Sequence, residues 1–470
     1  MNVSPVEYDL AILGGGSAGF AAAIRAVELG ARVVMVSEGT IGGTCVNVGC
    51  VPSKTLIRAA DARHLQGHHA FDGVARSEQP VDWARVRAGK DGLVTALRTA
   101  KYEDVLRAYP EITLIEGRGV LDGEGRVHLS DGSPVTAERV VVTTGSSPWA
   151  PDVPGLAEAG YLDSTALLDV DALPGSLAVV GGGSVGVELA QAYARLGVQV
   201  TILARSRLLS SEDPDVGAEL MLHLRSEGIE VATEVTIESV EQTPSGRLIH
   251  YRSGDAEATS LCADQILVAA GRRPNTDAMG LETAGVELGP SGEIVVDAEL
   301  RTSNPRVFAG GDVTGGPMHV YVAAHAASLA AENALGGSKK LDLSVLPRVT
   351  FTSPAVASVG LTEQEARDTG LEPLVSKLPL EHVPRALAAR DTRGFVKLVA
   401  DAVTRHIVGV QIVAAEAGEM IIEPTLAVRF GLTIDDLTST LHPYLTLSEG
   451  IKLAALTFEK DVATLSCCAV

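Results

Sequence analysis

Four residues lie between Cys45 and Cys50 in "GGTCVNVGCVPSK", and Lys54 comes one helical turn after the second cysteine. Thiolate, not thiol, is the nucleophile and the metal ligand. A helix N-terminus and a lysine at this spacing both lower a thiol's pKa. Zinc would need two more nearby ligands, and none follows at finger spacing. The loop is short enough to close into a disulfide, so the pair reads as redox-active or metal-binding. A second pair, Cys467 and Cys468, sits side by side in the final "TLSCCAV". Adjacent thiols there fit two readings, ordinary groups on a frayed terminus or a pair with a task.

The elements that must position these thiols are legible around them. "YDLAILGGGSAGFAAAIRAVELGARVVMVSE" reads as strand, glycine turn, alanine-rich helix and second strand. Gly14, Gly16 and Gly19 fit G-x-G-x-x-G, with Ala18 among them, and Glu38 closes the second strand. Such glycines allow a tight turn and close backbone approach, the helix N-terminus meets a pyrophosphate, and the acid accepts ribose hydroxyls. The pattern recurs in "SLAVVGGGSVGVELAQAYARLGVQVTILARSRLL" with Gly181, Gly183 and Gly186. There Arg205 occupies the position of the ribose-binding acid, and Arg207 follows. Arginine suits a 2′-phosphate that a glutamate would repel. The first unit is therefore expected to take an unphosphorylated adenosine cofactor and the second NADPH.

Bulk properties narrow the classes. The chain has 470 residues, 46% of them hydrophobic, enough for about three domains with large cores. A formal charge of −21 disfavours nucleic acid. No apolar run reaches the roughly 20 residues of a membrane span, so no membrane partner is expected. The opening "MNVSPVEYDLAILGGG" has no signal-peptide character. Five cysteines, oddly spaced, fit reactive groups in a reducing cytoplasm better than a secreted scaffold. Cys262, on a strand-like run with no motif, reads as an ordinary buried thiol.

"GGTCVNVGCVPSK" resembles the redox motif of the FAD-dependent pyridine nucleotide-disulfide oxidoreductases, and the resemblance covers nearly the whole chain. "VVTTGSSP" and "ILVAAGRRPNT" are similar to that family's two crossovers between domains, and "VFAGGDV" to its second flavin motif. The resemblance implies a glutathione reductase-like α/β fold. An FAD-binding domain would span 1–150 and 270–345, an NADPH-binding domain 151–269, and an α+β dimerisation domain 346–470. It implies that Cys50 is the charge-transfer thiol under the flavin and Cys45 the interchange thiol. Lys54 would approach the flavin and pair with Glu188, Asp312 would bind the ribityl chain, and Val320 would bring backbone to the ring. Gly39, Gly43, Thr44, Gly119, Val120, Thr144, Gly145 and Gly271 are assigned to the cofactors on the same basis.

The C-terminal motif departs from the disulfide reductases, whose acid–base histidine lies five residues before a glutamate. In "LHPYLTLSEGIKLAA" that place before Glu449 is held by Tyr444, and His442 is displaced by two. A phenol near pKa 10 shuttles protons poorly at neutral pH. Together with the terminal "SCCAV", this pattern resembles the family's mercuric reductases. The implied activity is reduction of mercury(II), the substrate ion, to the element. A first NADPH would open the Cys45–Cys50 disulfide and a second would keep the flavin reduced. In that branch the tail thiols of one subunit reach the inner pair of the other. Mercury(II) prefers two thiolates in near-linear geometry and moves between thiol pairs by ligand exchange. Cys467 and Cys468 would take the ion from small-molecule thiols, Cys45 and Cys50 would hold it, and Tyr444 would assist, in a cytoplasmic homodimer. Some mercuric reductases carry a further N-terminal metal-binding domain, which the early first strand makes unexpected here. The rivals are a dihydrolipoamide dehydrogenase-like enzyme using His442, and a protein that sequesters mercury without reducing it.

Because Arg205 stands where the acid would be, kcat/KM should favour NADPH over NADH. Arg205→Glu combined with Arg207→Ala should abolish or reverse that preference. Equal values for the two nucleotides in the unaltered enzyme would contradict the assignment.

Overall fold

The computed structural model describes residues 8–77 and 79–465, so the expected tail pair Cys467 and Cys468 lies outside the described residues. Two compact units are present. The first comprises 1–55, 84–149 and 271–342, and the second 56–83, 150–270 and 343–470.

The first unit is built on a five-stranded parallel sheet, in the order Val307–Ala309, Ala137–Val142, Tyr8–Leu13, Val33–Ser37, Ile112–Glu116. Its central strands are near-continuous apolar runs, as expected for strands covered on both faces. Leu10, Ile12, Val33, Met35 and Val141 are completely buried. Helices Ser17–Glu28 and Val320–Ala334 pack on one face through alanines, Ala22, Ala23 and Ala26 with Ala327, Ala330 and Ala331. Side chains of one carbon let the two helices approach closely. The crossover segments pair with each other as a two-stranded ribbon, Ser146–Pro148 against Arg272–Pro274.

The second unit contains a four-stranded parallel sheet, ordered Glu230–Ala232, Gln199–Leu203, Ser176–Val180, Gln265–Val268. An antiparallel meander over 235–263 accompanies it. Cys262 lies on its outer strand, Thr259–Ala263, and is exposed; the pleat buries its neighbour Ala263 instead. This corrects the expectation of a buried thiol. A five-stranded antiparallel sheet follows, from Arg348–Thr350 to Ile407–Ala414. Every residue of its strand Phe395–Asp401 is buried.

Between the helices Ile434–Ser439 and Glu449–Leu456 runs the loop that carries Tyr444, which is 54% exposed. Leu445 adopts φ +66°, a conformation a β-carbon disfavours. The turn is held by hydrogen bonds from Thr446 Oγ1 to the Pro443 carbonyl, 2.9 Å, and from Leu445 N–H to Glu449 Oε2, 3.4 Å. His442 anchors its start, with Nε2 2.7 Å from Glu423 Oε1 and Nδ1 3.1 Å from the Thr440 carbonyl. Both partners are acceptors, so the doubly protonated ring satisfies both. The Glu423 hydrogen bond raises the His442 pKa, against burial and the charge of Lys452. Lys452 Nζ itself donates to the Thr440 carbonyl at 3.1 Å.

A pKa raised on folding places this stabilisation at low pH. It is complete below the unfolded histidine value of about 6.5 and is lost as pH rises through the folded value. Melting temperatures of the protein and of His442→Gln should therefore differ most near pH 6 and converge in alkali. A gap that widened with pH would contradict the pairing.

Candidate functional site

The two glycine turns repeat one geometry. Gly14 and Gly181 have φ +121° and +127°, and a Cβ on either would lie 2.5 or 2.3 Å from the carbonyl oxygen of Thr143 or Ala269. A Cβ on Gly19 or Gly186 would lie 1.9 or 2.3 Å from the carbonyl oxygen of Gly14 or Gly181. Helices Ser17–Glu28 and Ser184–Arg195 begin at Gly16 and Gly183, with no side-chain cap and no acid in the first turn. Uncapped N–H groups at a helix start are the donors that an anionic pyrophosphate satisfies. Both turns thus fit a dinucleotide on backbone geometry alone.

Glu38 is exposed just past the strand Val33–Ser37, followed by Gly39 in a positive-φ turn. On the second turn, Arg205 is exposed just past Gln199–Leu203, while Arg207 is half-buried and donates to the carbonyls of Leu209, Ser210 and Glu212. Glu188 is buried and accepts the Phe351 N–H at 2.9 Å. Glu188 belongs to the second unit and Lys54 to the first.

In the first unit, Asp312 Oδ2 accepts from Ser146 Oγ at 2.7 Å, and Arg272 braces Ser146 through its Oγ and carbonyl. Thr144 Oγ1 donates to the Asn275 carbonyl and Asn275 N–H to that of Gly145. Gly271 accepts from the Trp149 N–H, completing the ribbon. Gly119 and Val120 lie on a short strand paired with Leu129 and His128, and a Cβ on Gly119 would lie 2.6 Å from Leu13 Cδ2, one residue before the first glycine turn. Val320 opens its helix at His319, again without a side-chain cap.

The thiol pair is fastened to the first glycine turn. Gly42 N–H donates to the Gly15 carbonyl at 2.8 Å, and a Cβ on Gly43 would lie 2.7 Å from the Gly16 Cα. Cys45 lies in the short helix Gly43–Asn47, beside the exposed Thr44, and Cys50 opens the helix Cys50–His68. Both sulfurs are thiols. The Cys45 pKa is driven far up, first by its hydrogen bond to Cys50, then by burial and by charge on Cys50, with Lys54 opposing. The proton is therefore held strongly on Cys45, while Cys50 lies at the helix start.

Sequence reasoning missed Tyr102. The helix Trp83–Arg98 passes into a π-helical turn, Thr99–Glu103, before resuming as Asp104–Ala108. Such turns commonly re-aim side chains at functional sites. The Tyr102 hydroxyl is 2.9 Å from Ser17 Oγ, and its ring stands edge-on to Phe20 at 4.8 Å. Burial raises its pKa, and charge on Cys45 and Cys50 adds to the rise, so the phenol stays protonated beside the thiols. Arg98 Nη1 braces the same loop through Asn47 Oδ1 at 3.2 Å, and Asn47 donates to the carbonyls of Ile41 and Gly43. The only sequence signal was a lone aromatic within "TALRTAKYEDV". Among the described residues no three or more His, Cys, Asp or Glu cluster in metal-holding range. No described helix is long and apolar enough to cross a membrane.

Comparison with known proteins agrees with this geometry. Residues 8–327 match the family model described as pyridine nucleotide-disulphide oxidoreductase, and residues 346–455 match the dimerisation domain of the same family. A mercuric reductase from Bacillus cereus is 47% identical over 465 residues, covering 98% of this chain and 73% of that protein. One from Streptomyces lividans is 47% identical over 468 residues, covering 98% of both. Among solved structures, the HOCl-induced flavoprotein disulfide reductase RclA from Escherichia coli superposes with a TM-score of 0.84 at 29% identity, covering 98% of this chain and all of that one. Since these matches run through both glycine turns, the thiol pair and the C-terminal sheet, the chain belongs to the pyridine nucleotide-disulphide oxidoreductases, with their glutathione reductase-like fold and their use of FAD and NAD(P)H.

Proposed function

We propose that the protein is an NADPH-dependent mercury(II) reductase. The observation that carries this is the thiol pair Cys45 and Cys50, built onto a dinucleotide turn in a chain whose curated relatives are named mercuric reductase. FAD and NADPH, when bound, supply two electrons per turnover, so that NADPH and Hg2+ give NADP+, H+ and elemental mercury. Gly14, Gly16 and Gly19 with Glu38 and Asp312 would hold FAD, and Gly181, Gly183 and Gly186 with Arg205 would hold NADPH.

The residues of this chain then have distinct tasks. Cys50, ionised first, is the initial ligand for the incoming ion. Cys45 gives up its proton as the second sulfur–mercury bond forms, because a dithiolate–mercury complex repays a cost that ionisation alone cannot. Tyr102 and Tyr444 present phenols rather than an imidazole, and a phenol does not compete with soft sulfur for mercury. His442, whose ring is committed to Glu423 and Thr440, is poorly placed to serve as the acid–base group of a disulfide reductase. Neutral mercury binds thiolate weakly and leaves.

Cys467 and Cys468 of the partner subunit would deliver the ion from small thiols in the cytoplasm. The homodimer this requires is supported by the dimerisation-domain match. It is also supported by an apolar stripe on the helix Ile422–Phe430, where Ile422, Leu426 and Phe430 are 56%, 47% and 69% exposed.

Two measurements test these roles. Cys45→Ser should show a long-wavelength thiolate-to-flavin band without added reductant, and Cys50→Ser should lack it; the reverse result would invert the two roles. Changing both Cys467 and Cys468 to serine should cut turnover of mercury(II) carried by excess thiol by orders of magnitude. Flavin content and dimerisation should be unchanged, and mercuric halide should be affected less. Full activity with thiol-bound mercury would exclude the relay.

A further inference from the structure

The loop 205–213 joins the end of the strand Gln199–Leu203 to the helix Pro214–Ser226, and it is fixed from three sides. From within, Arg207 Nη1 donates to the Leu209 carbonyl at 3.1 Å, and Nη2 to those of Ser210 and Glu212 at 2.7 and 2.5 Å. These carbonyls converge because Leu209 takes a left-handed φ of +46°. From the phosphate turn, the Leu209 N–H donates to the Gly182 carbonyl at 2.8 Å, and the Leu208 side chain lies 2.9 Å from where a Gly182 Cβ would stand.

From the antiparallel sheet, the buried Glu212 carboxylate receives Arg348 Nε at 2.9 Å, Nη2 at 3.1 Å and Ser358 Oγ at 2.6 Å. Asp213 caps the following helix at Asp215 N–H and receives Lys397 Nζ at 2.9 Å. A guanidinium whose two terminal nitrogens serve three carbonyls is spent on shape. Arg205, exposed at the strand end where dinucleotide folds read the ribose, is available to a 2′-phosphate. Holding a loop in its bound conformation raises affinity by removing an ordering cost.

We infer that Arg207 and Glu212 are positioning residues for nucleotide choice and act through Arg205. Arg207 sets the loop's shape, Glu212 fastens it to the sheet through Arg348 and Ser358, and Arg205 alone of the two arginines meets the 2′-phosphate. This rests on the NADPH reading above. It also predicts that Lys replaces Arg207 poorly, because one ammonium nitrogen keeps the charge and three donors but cannot occupy both terminal positions of the planar fork.

The test is kcat/KM for NADPH and NADH in the FAD-loaded enzyme and in Arg205→Ala, Arg207→Lys, Glu212→Ala, Ser358→Ala and the double variant Arg205→Ala with Glu212→Ala. Arg205→Ala should lower the NADPH-to-NADH ratio by about 50-fold, the scale of one charge-assisted phosphate contact. Arg207→Lys and Glu212→Ala should each lower it about five- to tenfold through KM for NADPH, with Ser358→Ala in the same direction and smaller. The double variant should match Arg205→Ala alone, since the fastening has nothing left to position. A ratio kept by Arg207→Lys and Glu212→Ala, or single effects that multiply in the double variant, would overturn the positioning roles. A ratio kept by Arg205→Ala would overturn the NADPH reading as well. Should Glu212→Ala fail to fold, Ser358→Ala with Arg205→Ala completes the same cycle.

Discussion

A hydrogen bond between two sulfurs, together with burial, drives the Cys45 thiol pKa far up, while Cys50 opens a long helix. That asymmetry is what would let two identical side chains take different roles in the proposed reaction. It depends on the sulfurs being held close, and much of the first unit serves that end. Gly42 and Gly43 permit the contact with the dinucleotide turn, Asn47 closes the loop on itself, and Arg98 and Tyr102 brace it from a helix that adopts a π-turn to reach it.

The second unit follows a comparable logic with charge in place of sulfur. Residues 348–353, at the edge of the antiparallel sheet, run beside the helix Ser184–Arg195 with repeated side-chain contacts. Thr350 meets Ser184, Phe351 N–H meets Glu188, and Ser353 meets both Gln191 and Arg195. Arg195 is nearly buried and bridges Asp61 and Glu227. Removing one partner of such a pair leaves an uncompensated charge, so these contacts define geometry more than they add net stability. A sheet matched by a dimerisation model is thereby joined to the turn that would bind the second nucleotide.

How much of this was legible in the sequence follows from the range of each interaction. The glycine turns, the apolar parallel strands and the thiol pair are local patterns, and they appear where their spacing placed them. Tyr102 was invisible because its role arises from a one-residue change of helical pitch 57 residues beyond Cys45. Arg205 and Arg207 looked equivalent as charges two positions apart. Only the backbone path, turned back by Leu209, distinguishes an exposed guanidinium from one consumed by carbonyls. The commitment of His442 to Glu423, 19 residues earlier, was likewise beyond any local pattern. Cys262 was misjudged because an edge strand exposes alternate residues whatever their polarity.

The central claim is that the inner thiol pair holds mercury(II) while two electrons reach it. Its most direct test is an anaerobic titration of the NADPH-primed enzyme with mercury(II) in excess thiol, trapping evolved mercury vapour and following NADPH at the same time. The account predicts one elemental mercury for each further NADPH oxidised, and no vapour once Cys45 and Cys50 are both serine. NADPH consumed without vapour, or vapour from the serine variant, would contradict it.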